Sequence, residues 1–275
     1  MSRKRGLGID VLTAAEARIS YIFDKFELVS VSFSGGKDST VLLHLVADEA
    51  RRRGRKIMVL FIDWEAQYGA TIEHVESALS DVADVADVRW IALPLTTWNA
   101  VSMMQPEWTC WDPDKRDLWV RQPPAGAITD PATCNVWRPG ISFEEFVPAY
   151  IKDWAGGKTA ASCVGIRSDE SLNRFRTLMA KKTRFEDLGW TTWVARGLYN
   201  VYPIYDWKTA DIWIYHAKAG RPYNRVYDLM HQAGLSIDQM RICEPYGSEQ
   251  RKGLWLYHLL EPETWPRIAA RVAGA

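Results

Sequence analysis

Residues 29–40 read VSVSFSGGKDST, and this stretch decides the fold. An apolar run over 28–34 leads straight into Ser34-Gly35-Gly36-Lys37-Asp38-Ser39, and helical periodicity begins at once behind it. Adjacent glycines let a backbone turn sharply and approach a ligand closely. The start of the next helix directs free N–H groups and its positive dipole end at an anion. Lys37 adds a full charge, and Ser34, Ser39 and Thr40 add hydroxyl donors. The stretch therefore reads as a phosphate cradle between a strand and a helix. It is not a Walker A loop, which holds four residues between its first Gly and the Gly-Lys pair.

Outward from the cradle the pattern alternates. Residues 38–53 predict a helix with an apolar face of Val41, Leu42, Leu45 and Val46, ending in three arginines and Gly54, which suits a helix C-terminus. Residues 56–63 (KIMVLFID) form a continuous apolar run, as in a strand buried on both faces. A helix is expected over 71–85 and a third strand over 88–93. This βαβαβ order with short links implies an α/β fold: a doubly wound, mostly parallel sheet with helices on both faces. Ligands of such sheets sit beyond the carboxyl ends of the strands. The cradle is at one such end, and Asp63, Glu65 and Tyr68 follow the next. A helix at 11–26, with Asp10 as N-cap, leads in.

Residues 94–140 differ, being rich in Trp and Pro with weak periodicity. Trp108, Trp111, Trp119 and Trp137 alternate with Lys115, Arg116 and Arg121. Such interleaving can stack and neutralise a nucleic acid. Mutual burial of the tryptophans over the sheet end is the better-founded expectation, because Trp is highly buried on average. Beyond this insertion come a helix at 141–154 with a Ser142–Glu145 capping box, a strand at 158–166, a helix from about 170 to 182, and a short apolar run at 201–205. Asp206 is expected to cap a helix at 209–219, with Trp207 packed beneath it. Two helical patterns, at about 248–260 and 262–272, close the sequence.

The formal net charge of zero gives no global argument for nucleic acid. The basic head at 2–5 reads as a solvated tail. Four cysteines without a CxxC argue against a disulfide scaffold or a simple zinc site. Cys163 reads as an inert core residue. No signal peptide and no membrane-spanning apolar run is evident, so a cytoplasmic protein without membrane partners is expected.

Four motifs fall in order: SFSGGKDS at 32–39, FIDWEAQY at 61–68, VGIRSDESLNR at 164–174, and YPIYDWKTADIW at 202–213 followed by RPYNRVYDLMHQAGLS at 221–236. SGGKDS resembles the PP-loop of the adenine-nucleotide alpha-hydrolase superfamily. The series together resembles the phosphoadenosine-phosphosulfate (PAPS) reductase family, across most of 11–246. Within it, IDWEAQY at 62–68, Glu107-Trp108, Trp111-Asp112 and YGSEQR at 246–251 resemble the IbrA-type (immunoglobulin-binding regulator) branch. A sulfonucleotide reductase attacks sulfur with a C-terminal cysteine thiolate. This sequence has no cysteine after Cys243, and a cluster needs about four thiolates. Neither that redox chemistry nor an iron–sulfur cluster is therefore expected.

The resemblance implies three regions: a helical lead-in at 1–27, a PP-loop nucleotide-binding domain at 28–235 carrying the insertion at about 94–140, and a helical C-terminal extension at 236–275. It implies binding of ATP or a PAPS-like adenine nucleotide, with cleavage of ATP between the α and β phosphates and adenylation of an acceptor. Nucleotide-binding residues are expected at Ser32, Phe33, Ser34, Gly35, Gly36, Lys37, Asp38, Ser39 and Thr40. Ile62, Asp63, Glu65, Gly165, Ile166, Arg167, Glu170 and Arg174 complete that set. Lys37, Asp38, Asp63 and Arg167 are the expected catalytic group, with magnesium on Asp38, Asp63 or Glu65. Arg167 and Arg174 are expected to reach one anion, with an Arg167 pair to Asp169 or Glu170 as the structural alternative. Asp38 has a helix-cap alternative. The competing functions are a nucleotide-sensing regulatory subunit acting with a DNA-binding partner, and PAPS reduction through Cys110, Cys134 or Cys243. A homodimer is also compatible. The acceptor is sought on the insertion, facing the loop.

Overall fold

The computed structural model describes residues 8–171, 174–176 and 183–275. Its centre is a six-stranded sheet in the order β3-β2-β1-β6-β8-β7. Strand β1 (Leu28–Phe33) pairs in parallel with β2 (Ile57–Ile62) on one side and with β6 (Ala160–Val164) on the other. Beyond β2 lies β3 (Ala86–Ile91), and beyond β6 lies β8 (Leu198–Val201), both parallel. Only β7 (Thr191–Ala195) at the edge is antiparallel.

Side chains alternate between the two faces, as strand geometry dictates. Val31, Phe33, Val59 and Phe61 join α1 (Val11–Lys25), α2 (Lys37–Arg53) and α3 (Gly69–Asp81) in one core. Met58, Leu60 and Ile62 join α4 (Phe143–Ala155) and the C-terminal helices in the other. All six residues of β2 are buried, which explains why its sequence shows no alternation. The Ser142–Glu145 capping box starts α4 as expected. Helices α5 (Thr209–Ala219) and α6 (Val226–Gln232) lead to the tail helices α7 (Trp255–Leu260) and α8 (Trp265–Arg271).

The chain runs outward through β2 and β3, then returns to place β6 on the other side of β1. The gap between β1 and β6 is thus the topological switch point, where open α/β sheets form their ligand crevice.

Several expectations change. The third strand lies two residues earlier than expected. Of the apolar run at 201–205 only Val201 enters a strand, β8, since Pro203 has no N–H to give to a ladder. The insertion is structured. It holds a hairpin of β4 (Leu95–Trp98) and β5 (Glu107–Cys110) and two 3-10 turns at Pro113–Leu118 and Pro131–Thr133. Trp108, Trp111 and Trp119 are buried, with Trp111 and Trp119 packed edge to face. Asp206 does not cap α5 but pairs with Arg18 at 2.6 Å. Asp211 fills the cap role by accepting from Lys208 N at 2.7 Å. The basic head at 2–5 and most of the helix expected at 170–182 lie outside the described residues. No described helix is long and apolar enough to cross a membrane.

Candidate functional site

The glycine loop closes on itself before it meets anything else. Ser39 Oγ donates to Gly36 O at 3.0 Å and lies 2.9 Å from Ser34 Oγ. Gly35 has φ +73°, and a Cβ there would stand 2.8 Å from Val75 Cγ2. Only glycine fits that position without strain. A Cβ on Gly165, at the end of β6, would press on the Ser39 backbone at 3.2 Å, so the two strand-end turns lie against each other across the switch point.

A second layer straps the loop from below. Asn224 Nδ2 donates to Gly35 O at 3.0 Å and to Thr71 Oγ1 at 2.9 Å. Lys37 N donates to the Tyr227 hydroxyl at 3.1 Å, and His216 Nε2 lies 3.1 Å from Lys37 O. Thr40 Oγ1 bonds Gly36 O and His74 Nε2, each at 2.9 Å. Burial holds His74 down at about 4 and His44 at about 3, and it lowers His216 as well. All three are neutral at ordinary pH, and His74 and His216 brace the loop. The motif at 221–236 thus supports the loop.

Above the loop lies a cavity of about 290 Å³. Of the expected residues, Ser32, Phe33, Ser34, Gly36, Lys37, Asp38 and Ser39 line it, with Ile62, Gly165, Ile166, Glu170 and Arg174. Leu60, Trp64, Gln67, Phe143, Val147, Val164, Tyr227, Arg241 and Ile242 complete the wall and were not expected. One side is apolar and the other carries charge. Lys37 Nζ lies 3.3 Å from Asp38 Oδ2 and 5.2 Å from the centre of the Tyr227 ring, and donates to Met240 O at 3.4 Å.

The remaining expected residues do not reach the cavity. Gly35 shapes the turn, and the Thr40 hydroxyl is used within the fold. Arg167 is 2% exposed. Its Nε–H donates to Asp38 Oδ1, and its Nη1 lies 3.4 Å from Thr209 Oγ1. It therefore fixes Asp38 instead of joining Arg174 on an anion, and its carboxylate partner is not Asp169 or Glu170 as the alternative had it. Glu170 pairs with Arg241 at 3.1 Å and Arg174 at 3.7 Å.

Asp63 and Glu65 are the largest correction, both 0% exposed. Asp63 pairs with Arg121 and accepts from Trp90 Nε1 at 2.8 Å. Glu65 is gripped by Arg271 at 2.6 and 3.0 Å and accepts from Trp111 N at 2.7 Å and Val120 N at 3.1 Å. With every oxygen engaged, neither carboxylate is free for magnesium; Asp38 alone of the three candidates faces the cavity. The insertion seals these two acids and lends no residue to the wall of this cavity.

Cys110, Cys134 and Cys163 are buried. Cys243 lines a second cavity, of about 380 Å³, which shares Ser34, Trp64, Gln67, Glu170, Arg174, Arg241 and Ile242 with the first. Burial pushes its thiol up.

Residues 28–121 and 135–233 match the model of the phosphoadenosine phosphosulfate reductase domain. The chain belongs to that family. Residues 234–275 match a domain of unknown function, DUF3440. The uncharacterized protein YbdN of Escherichia coli (strain K12) is 50% identical over 272 residues, which is 98% of this chain and 66% of YbdN. The uncharacterized protein MJ0066 of Methanocaldococcus jannaschii is 28% identical over 200 residues, 73% of this chain and 33% of that protein. The chain thus spans only part of the length of these curated relatives. Among solved structures, the PAPS reductase of Candida auris in a phosphate complex is similar at TM-score 0.43 and 11% identity, over 84% of this chain and 95% of that one. The U34-tRNA thiolase NcsA of Methanococcus maripaludis, solved with its [4Fe-4S] cluster, is similar at TM-score 0.42 and 11% identity, over 94% and 76%.

Proposed function

We propose that this family member binds ATP in the crevice between β1 and β6, cleaves it between the α and β phosphates, and adenylates an acceptor as pyrophosphate leaves. The observation that carries this reading is the strapped glycine loop with Lys37 at the floor of a half-apolar cavity. The loop amides and the Lys37 ammonium hold the phosphates, and the apolar wall of Leu60, Ile62, Phe143 and Ile166 takes the base. Catalysis of this kind rests on positioning and charge neutralisation. Magnesium keeps most of its waters and takes one or two carboxylates plus phosphate oxygens. Asp38 is the one candidate carboxylate on the cavity wall; Arg167 holds its Oδ1 and Lys37 Nζ lies 3.3 Å from its Oδ2, so it takes that role as Lys37 turns from it to the phosphates.

The test is direct. The protein should bind a non-hydrolysable ATP analogue by calorimetry and release pyrophosphate from ATP with Mg²⁺. Lys37→Ala should weaken analogue binding about 10- to 100-fold, the worth of one charge-assisted contact. Absence of nucleotide binding, or binding indifferent to Lys37→Ala, defeats the reading.

Cys243 supports a second reading, PAPS reduction, because it is the one cysteine that reaches the cavities among the described residues. Its raised thiol counts against it, since the thiolate is the nucleophile. Sulfite release from PAPS with thioredoxin, lost in Cys243→Ser, would establish that reading over the first.

A further inference from the structure

The second cavity opens directly off the nucleotide crevice, and its far wall is built from 243–249. Three carboxylates line it: Glu170, Glu244 and Glu249. Arg241 binds two of them, Glu170 at 3.1 Å and Glu249 at 3.1 Å. Glu244 is different. Among the described residues it has no ion pair, and it receives one hydrogen bond, from the Thr97 hydroxyl on β4. It stands half-buried on the cavity wall with one oxygen open and no cation on it.

We propose that this cavity is the acceptor subsite, that the acceptor attacks through a protic hydroxyl or amine, and that Glu244 is the base that takes its proton. The inference rests on the ATP reading above. In the step, the acceptor oxygen or nitrogen forms a bond to the α-phosphorus. The bond from that phosphorus to the α,β-bridging oxygen breaks, and pyrophosphate leaves with the electron pair. The acceptor proton passes to the Glu244 carboxylate. No other reactant is needed.

Two features select this acceptor class. Three carboxylates face two guanidinium groups in the cavity, Arg174 and Arg241, and a triphosphate next door adds more negative charge. A carboxylate acceptor would enter against that field, and it has no proton to lose. A hydroxyl or amine gains from a base near its own attack path, and a base works best with a pKa near the operating pH. Burial raises Glu244 to about 7, with the Thr97 hydrogen bond opposing the shift and Glu144 on α4 adding to it. Glu170, Arg174, Arg241, Cys243 and Glu249 are the other charged or titratable groups around the cavity.

The experiment measures pyrophosphate release from ATP with Mg²⁺ between pH 6 and 9, with water, ethanolamine or acetate as acceptor, alongside calorimetry with the non-hydrolysable ATP analogue. The wild-type rate should rise through neutral pH and be stimulated by ethanolamine more than by acetate. Glu244→Gln should keep analogue affinity, lose about 10²-fold or more in kcat, and lose the pH-dependent rise. Thr97→Val, which removes the hydrogen bond that favours the carboxylate, should move that rise to higher pH. If the analogue binds but Glu244→Gln turns over at the wild-type rate with the same pH profile, the inference is overturned. It is overturned too if acetate stimulates as well as ethanolamine, if ethanolamine does not stimulate, or if no pyrophosphate appears. Loss of analogue binding by the wild type would instead remove the ATP reading itself.

Discussion

The ends of β1 and β2 lie side by side in one parallel sheet, and both carry motifs rich in polar groups. One is open and the other is sealed. At the end of β1 a self-bonded glycine loop puts Ser34, Gly36, Lys37 and Ser39 on a cavity wall. At the end of β2 it offers two carboxylates, and each is closed off by an arginine from elsewhere in the chain. The difference lies in what does the work. A loop that acts through its backbone carries its own geometry, so its local sequence is sufficient to identify it. A carboxylate acts through its side chain, and its role is set by whichever segment happens to cover it.

Breaking the sealed end should have the largest effect. Arg271→Met strands a fully buried Glu65 carboxylate, and losing one partner of such a pair costs about 3–5 kcal/mol. Urea unfolding should register that loss, while the folded fraction binds the ATP analogue as before. Adding Glu65→Gln should recover much of the stability, because replacing both partners is far milder than removing one. A single mutant as stable as wild type would show that the seal is ornamental.

Acid should separate the ends next. His44 and His74, near the loop, are held at about 3 and about 4 by burial, against 6.5 for the free side chain. The unfolded chain therefore binds more protons below about pH 6.5. The stability is fully present above that pH and drains away as pH falls toward the folded values. Between pH 7 and 5 each histidine should cost about 2 kcal/mol. Analogue binding should fail before the tryptophan signal of the insertion does. Equal urea midpoints at pH 7 and pH 5 would refute this.

The smallest effect should come from Gly35→Ala. A left-handed backbone at a non-glycine residue costs about 1–3 kcal/mol, and the new methyl would collide with Val75. Analogue affinity should fall with it, since the loop must shift to relieve the contact. Unchanged affinity would mean that the turn is not held as tightly as its hydrogen bonds imply.

Much of this was legible in the sequence. The cradle, the parallel order of the first three strands, the Ser142 cap and most of the cavity floor follow from local rules. The roles of Asp63 and Glu65 were not, because their partners lie 58 and 206 residues away and a lone Arg at 121 or 271 carries no motif. The motif and its spacing from Arg174 point Arg167 at an anion, and its acidic neighbours point to a local ion pair, yet its partner is Asp38 on the far side of the switch point. Tyr227 stood inside a quoted motif, and its hydroxyl at the loop was the one missed contact a search for tyrosines within that motif would have raised. Arg241 and Glu244 had no such signal. Trp108, Trp111 and Trp119 are buried as expected and Trp137 is half-buried, but none of the four lines the cavity above the loop.

The grip of Arg271 on Glu65 also sets an order of events during synthesis. At about 5–20 residues per second, roughly 10–40 s pass between the making of Glu65 and of the arginine that neutralises it. Through that interval the glycine loop and its strands can assemble, while the neighbouring strand end keeps an uncompensated acid that must stay wet. The sheet can form early, but its second strand end locks only when α8 arrives. A ribosomal pause after Tyr227 and before Arg271 leaves a strapped loop beside an unlatched flank.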